Sequence, residues 1–544
     1  MRTVIFGVDG LAFRILHPLI ERGALPNFQK LRMDGSEAIL ESKYPPLTPP
    51  AWTSLSTGLK PASHGVYDFW TYDDEQAGNR NRTAHVLTRR KGGKAIWNIL
   101  SEYGKKVLVI NVPTTYAPEV VNGIMVSGYT TPNTNVEFTY PASFKEEIFH
   151  VVPNYQIDLE VSFRERLNTA GKVGPLTDAV LHMTEQHIKL IMYMMKEKPW
   201  DFTYLVFTGV DRLQHQFWEE VCKFHPRTKE YFCMLDDALG QIFDMLEPED
   251  NLFVVSDHGF CGHSSYFDIN EYLYSKKLLF FKDSSIERDR RRVKHAIQFK
   301  RFVSRIGLRS LGRKVKRKLK IAGLWSRTRF APDGLERPIF DNIDWERTLA
   351  YVPSFSGFPG GFADIFLSPD ITGEQVAELC DDLKHQVNPK NGKPLIDAIY
   401  TNEVYGTGPY ILQEPHLLLL PNKGMTFRPE LGNESLWEEL DKSFGSHHKD
   451  GVLYAFGGSF KRGFKAPNAE IYDLAPTILR AMNLPLPHSF DGQVLDELFV
   501  EKQERELFPA EDGGLTKRKL QKLQEVGAQI IAPLREADPQ PRVQ

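Results

Sequence analysis

Three apolar runs in this chain each end in an aspartate, and that recurrence constrains the fold more than any other feature. Val4-Ile5-Phe6-Gly7-Val8 delivers Asp9, Phe202 to Phe207 leads through Thr208-Gly209-Val210 to Asp211, and Leu252-Phe253-Val254-Val255 is followed by Ser256-Asp257-His258-Gly259. Short continuous apolar runs bounded by turn residues read as strands buried on both faces, as in a parallel sheet. In open α/β sheets, ligands gather at the carboxyl ends of such strands. The three aspartates therefore stand where chemistry is expected.

Between the runs the spacing turns helical, through Leu16, Leu19 and Ile20, through Phe28 and Leu31, from about Ala95 to Leu100, and along an amphipathic stretch from about Asp178 to Lys198. Further strands are expected at Lys106 to Val112 and at Val452 to Phe456, a Gly/Thr/Pro-rich piece covers Gly123 to Pro132, an apolar run covers Leu417 to Leu420, and residues 71–93 read as a polar surface loop or excursion. One loop stands out: Tyr44-Pro45-Pro46-Leu47-Thr48-Pro49-Pro50 opens a short helix that Gly58 closes. Thr48 is expected as its N-cap, with Pro49 at the first helical position. A helix start aims free N–H groups outward, so Thr48 would face an anion such as phosphate, although most threonines so placed only cap.

The rest of the composition narrows the class. Cys222, Cys233, Cys261 and Cys380 form no CxxC pair, which argues against a disulfide framework or a thiolate metal site. A net charge of -3 identifies no partner, and nothing points to nucleic acid as a specific one. The first strand begins almost at Met1, and no apolar run is long enough to span a bilayer, so a soluble, cytoplasmic protein is expected.

A two-metal phosphoryl-transfer site needs oxygen and nitrogen ligands for two divalent ions about 3.5–4 Å apart, plus a nucleophile. The chain supplies the residue types: Asp9, Thr48, Asp257 and His258 for one ion, and Asp211, His215 and one of the adjacent pair His447 and His448 for the other. Asp211-Arg-Leu-Gln-His215 puts a carboxylate and an imidazole one helical turn apart, a spacing that also serves ordinary surface pairs. His64 and His263 fit ligand and loop roles equally well.

In order, these pieces resemble the alkaline phosphatase superfamily, specifically its type I phosphodiesterase/nucleotide pyrophosphatase family. The resemblance runs over most of residues 1–500: Val8-Asp9-Gly10, Thr48 with Gly58, Asp211-x-x-x-His215, Ser256-Asp257-His258-Gly259, Ser446-His447-x-x-Asp450-Gly451 and Ile471-Tyr472-Asp473-Leu474-Ala475-Pro476-Thr477. It implies an α/β fold with a central, mostly parallel sheet flanked by helices on both faces. It also implies Thr48 as nucleophile and metal ligand, with Asp9, Asp257 and His258 on the same ion, and it selects His447 over His448 beside Asp211 and His215. The implied reaction is in-line attack of the Thr48 oxygen on phosphorus, giving a phosphothreonine that water then releases. Two divalent ions are implied, zinc by the mixed carboxylate and imidazole set, with manganese as the alternative.

One departure concerns the substrate, which is expected to be a phosphodiester or related small organic phosphate. Nucleotide pyrophosphatases of this family carry an asparagine donor shortly after a His-Gly pair, whereas this chain reads His64-Gly65-Val66-Tyr67-Asp68-Phe69. Phe69 donates nothing, and Pro49 lacks an N–H. Another departure is the stretch from Arg288 to Lys320, where fifteen Lys/Arg face one acidic residue and apolar residues recur at helical spacing. Such a segment packs as a solvated insertion, lies against an anionic membrane, binds a polyanion or covers an anionic active site, so peripheral membrane contact through 288–320 is one expectation. The organisation expected is thus core at 1–280, a basic helical insertion at 281–340, more core at 341–500 and a charged tail at 501–544. Alternatives to hydrolysis are a phosphatase or phosphoryl or head-group transferase of the same superfamily, or a non-catalytic protein that binds anionic surfaces.

Overall fold

The computed structural model describes residues 1–42, 46–72, 85–87, 89–159, 173–282, 342–353, 360–411, 415–431 and 435–501. The basic segment 288–320 and all but the first residue of the tail 501–544 lie outside them.

The three apolar runs are adjacent parallel strands at the middle of a ten-stranded sheet: Thr3–Val8 lies between Asn251–Val255 and Phe202–Phe207. Val107–Val112 and Gly123–Ser127 extend the parallel part. On the other side Asp450–Gly457 runs antiparallel between Asn251–Val255 and Ser36–Glu41. All six residues of Thr3–Val8 are buried, yet their side chains alternate. Val4, Phe6 and Val8 join the core under helices Phe13–Glu21, Pro26–Asp34, Val173–Glu197, Gly209–Cys222 and Pro226–Phe243, while Ile5 points into the opposite core with Thr48–Thr57, Ile96–Glu102 and Leu474–Ala481. Helices thus cover both faces, which is why the strands show no polar alternation. Among the described residues, no helix is long and apolar enough to cross a membrane.

Beyond Asp257 the strand Gly259–Asp268 leaves the central sheet and pairs antiparallel with Trp437–His448. Among the described residues of 341–500, only those from Asp450 onward join the central sheet. Ala350–Tyr351, Ala363–Leu367, Leu417–Pro421 and Ile396–Thr401 form a separate four-stranded antiparallel sheet, packed with helices Ile269–Ser275 and Gly373–Lys384. A small cluster of Leu47, Tyr67, Phe362, Tyr405 and Leu418 seats that sheet against the loop before Thr48.

Thr48 does not cap its helix. It is the first helical residue of Thr48–Thr57, and Leu47, extended at φ -136° and ψ 137°, holds the cap position without a side-chain cap bond. With Thr48 as cap, the second and third helical residues would be Pro50, which has no N–H, and Ala51, whose N–H instead bonds the Leu47 carbonyl at 3.0 Å and so starts the helix one residue earlier. The Thr48 hydroxyl is therefore free of the role the sequence suggested, while Gly58 closes the helix in the left-handed region at φ 67° as expected.

Candidate active site

The carboxyl ends of the three central strands place Asp9, Asp211, Asp257 and His258 together. Gly209–Cys222 carries Asp211 and His215 one turn apart, and the Trp437–His448 strand carries His447 back to them. All are buried except His215, which is partly open.

Each of the six side chains is anchored through one atom and turns the other inward. Asp9 accepts from Trp52 Nε1 at 3.3 Å through Oδ2, Asp257 from the Gly10 N–H at 3.1 Å through Oδ1, and Asp211 from Arg212 Nη1 at 3.2 Å through Oδ1. Their other oxygens have no hydrogen-bond partner despite burial. The histidine Nδ1 atoms lie against backbone carbonyls: His215 on Gly445 at 3.0 Å, His258 on Gly259 at 3.1 Å and His447 on Pro46 at 2.7 Å. A carbonyl only accepts, so each Nδ1 carries the proton and each Nε2 presents a lone pair. Metal-binding histidines are oriented in this way.

The inward atoms lie close together. His258 Nε2 is 3.2 Å from Asp257 Oδ2 and 3.6 Å from Asp9 Oδ1. Asp211 Oδ2 is 3.1 Å from His215 Nε2 and 3.3 Å from His447 Nε2, and the two nitrogens face each other at 3.0 Å. Facing lone pairs repel unless a cation lies between them. Ligand atoms about 2.0–2.1 Å from one tetrahedral ion stand about 3.3 Å apart, and the observed separations bracket that value. The set thus fits two divalent ions. His258 is within reach of both groups, since it also clusters with Asp211 and His447 and its ring stacks on His447 at 3.7 Å.

The electrostatics point the same way. Burial, then repulsion from Asp257 and Asp211, pushes the Asp9 carboxyl well above its ordinary range. Burial and Asp211 likewise raise Asp257. Burial keeps His258 and His447 neutral. A buried cluster of mutually repelling carboxylates is stabilised by cations.

Thr48 is 4% exposed on the element that flanks this cluster. Pro46, two residues before it, accepts from His447, and Trp52, one turn after it, donates to Asp9. His448 lies outside the cluster, with Asp450 Oδ2 at 3.5 Å. His64 Nε2 meets Ser54 Oγ at 2.9 Å, and His263 lies between Thr426 Oγ1 and Cys261 Sγ. Phe69 is partly buried with its ring 5.8 Å from that of Tyr129. The sequence reading missed Trp52 and Arg212; Trp52 carried a signal, being one helical turn from Thr48.

The family described as type I phosphodiesterase / nucleotide pyrophosphatase matches residues 3–319, more than half of the chain, a span that contains all the named site residues except His447. Venom phosphodiesterase of Macrovipera lebetinus is 25% identical over 202 residues, covering 36% of this chain and 23% of that protein. Venom phosphodiesterase 2 of Crotalus adamanteus is 24% identical over 204 residues, covering 36% and 24%. The match therefore spans about a quarter of the length of these relatives. Human ectonucleotide pyrophosphatase / phosphodiesterase 5 shares the fold with a TM-score of 0.51 at 14% identity, over 92% of this chain and all of that one. Phosphonoacetate hydrolase from Sinorhizobium meliloti 1021, in complex with phosphonoformate, shares it with a TM-score of 0.54 at 13% identity, over 89% and 95%. With the sheet order, the strand-end aspartates and this match in agreement, the chain belongs to the type I phosphodiesterase/nucleotide pyrophosphatase family of the alkaline phosphatase superfamily.

Proposed function

We propose that the protein hydrolyses a phosphodiester or related organic phosphate, with Thr48 as nucleophile and two divalent ions, zinc or else manganese, held by Asp9, Thr48, Asp257 and His258 and by Asp211, His215 and His447. The observation that carries this reading is the set of six side chains, each fixed by one polar atom and aiming its other at a shared buried space. Bound ions would supply Lewis acidity at the attacking and leaving oxygens and lower the pKa of water.

The remaining work belongs to the chain. The Thr48 hydroxyl sits at a helix start where Pro49 and Pro50 offer no N–H to tie it down. Its oxygen bonds to phosphorus as the bond to the ester oxygen opposite breaks, the Thr48 proton passing through solvent to the departing oxygen, which gives phosphothreonine and a free alcohol; water then attacks phosphorus, breaks the bond to Thr48 and returns a proton to its oxygen. Trp52 and Gly10 keep Asp9 and Asp257 from rotating, and Pro46 fixes the His447 ring while anchoring the nucleophile loop.

Metal analysis of the purified protein, with turnover of one aryl phosphate monoester and one diester, tests the proposal. Two ions per chain and a fall of about a hundredfold or more in Thr48→Ala are expected. Undiminished metal-dependent turnover in Thr48→Ala would remove Thr48 from the role.

A further inference from the structure

Directly after the ligand Asp211 comes an arginine that the reaction above does not use. Arg212 has a side chain only 7% exposed. Its Nε and Nη2 grip Asp158 side-on, Nε at 3.4 Å from Oδ1 and Nη2 closer on Oδ2, while Nη1 donates to Asp211 Oδ1. The guanidinium lies over the Tyr129 ring, 4.2 Å from its centre, and Tyr129 meets Phe69 edge-on. A line of contacts thus joins the Asp211 ligand to the residue standing where relatives place an amide donor.

A planar guanidinium beside a phosphoryl site is well suited to bind phosphate oxygens in a fork. Here the side-on edge of that fork is occupied by Asp158, whose carboxylate also cancels the charge. The guanidinium touches Asp211 directly through Nη1, so its charge lies at the edge of the centre. Phe69 offers no donor in compensation. Whether the wall beside Asp211 is neutral or cationic is therefore decided by Asp158.

We propose that Asp158 and Arg212 form a specificity-determining charge pair: by holding and neutralising Arg212, Asp158 makes the site favour a phosphoryl group bearing one negative charge over one bearing two. The inference rests on the two-metal reading and concerns discrimination within it. A monoester dianion gains more from an added positive charge than a diester monoanion does, because the interaction scales with the substrate's charge. Changing the pair should thus move the two substrate classes unequally.

The test compares metal-loaded wild type with Asp158→Asn, Arg212→Gln and the double variant. Bound metal is measured by elemental analysis, affinity for inorganic phosphate at pH 8 by calorimetry, and kcat/KM with an aryl monoester and an aryl diester. In Asp158→Asn, tighter phosphate binding and a higher monoester-to-diester ratio are expected, each by about tenfold. Arg212→Gln should shift both the opposite way, and the double variant should return near wild type. A purely structural pair would depress both substrates together in both single variants, and that result overturns the inference. So does an unmoved ratio in variants that keep their metal. Wild type without bound metal would overturn the two-metal reading and this inference with it. If one single variant does not fold, the other and the double variant decide by the sign of their shifts.

Discussion

At the scale of single residues, burial alone does not make a histidine a ligand. His64 is as buried as His258, but both its nitrogens are matched: Nδ1 accepts from the Val66 N–H at 3.1 Å, so Nε2 donates to Ser54 Oγ. His258 instead leaves Nε2 without a partner. Burial, with the Arg90 charge adding to it, pushes His64 down to about 3. An imidazole that is neutral when folded and protonates near 6.5 when unfolded gives stability that is complete above 6.5 and lost as the pH falls towards 3. Between pH 6.5 and 5 this one group should remove about 2 kcal/mol. Urea unfolding at pH 7.5 and 5.0 should show a decline smaller by about that amount in His64→Gln than in wild type; equal declines would refute it. The sequence offers His64, His258, His263 and His447 on equal terms and does not show which ring atoms are already occupied. His447 and His448 are chemically identical there, and strand pairing separates them: His447 sits opposite Phe260 in the register that turns it to the centre.

At the scale of elements, legibility followed burial. Phe202–Phe207 was readable to the residue because a strand covered on both faces is written as an unbroken apolar run. The four-stranded sheet was not readable as such, since Ala350–Tyr351 spans two residues and Ile396–Thr401 is mostly half-exposed, so neither prints a period. The Thr48 helix is legible in the sequence, but it starts one residue earlier than the sequence suggests, because the Ala51 N–H bonds the Leu47 carbonyl. That helix is held against the central strand through Gly7, where an added Cβ would lie 2.7 Å from Trp52 Cη2 and 2.8 Å from Val206 Cγ2. Both neighbours are fully buried and have nowhere to move. Gly7→Ala should therefore cost about 1–3 kcal/mol by overpacking. Because Trp52 also holds Asp9, the same change should weaken metal binding by roughly tenfold or more. Denaturant midpoints and a metal titration read the two effects separately, and an unchanged midpoint would show that the contact can relax.

At the scale of the whole molecule, the site is assembled from opposite ends of the chain. Asp9 follows the first strand, while His447 reaches its anchor at Pro46 across 401 positions of sequence. The strand Asp450–Gly457, inserted antiparallel between Asn251–Val255 and Ser36–Glu41, makes that return possible. Ions held by both ends would act as crosslinks present only in the folded state. Such binding stabilises by mass action, about 4 kcal/mol per site when free metal is a thousandfold above the dissociation constant. It would also relieve the repulsion that raises Asp9 and Asp257. Exhaustive chelation should lower the unfolding temperature by several degrees or more. The loss should be uneven. The parallel strands keep their cores on both faces without metal. Trp437–His448, by contrast, is half-exposed along much of its length and meets the centre only at its last residues. Amide exchange after chelation should therefore accelerate most in Trp437–His448 and in the first turn of Thr48–Thr57, and least in Thr3–Val8. Uniform acceleration, or none, would mean that the ends of the chain are locked by packing alone and that the ions are not part of what closes the fold.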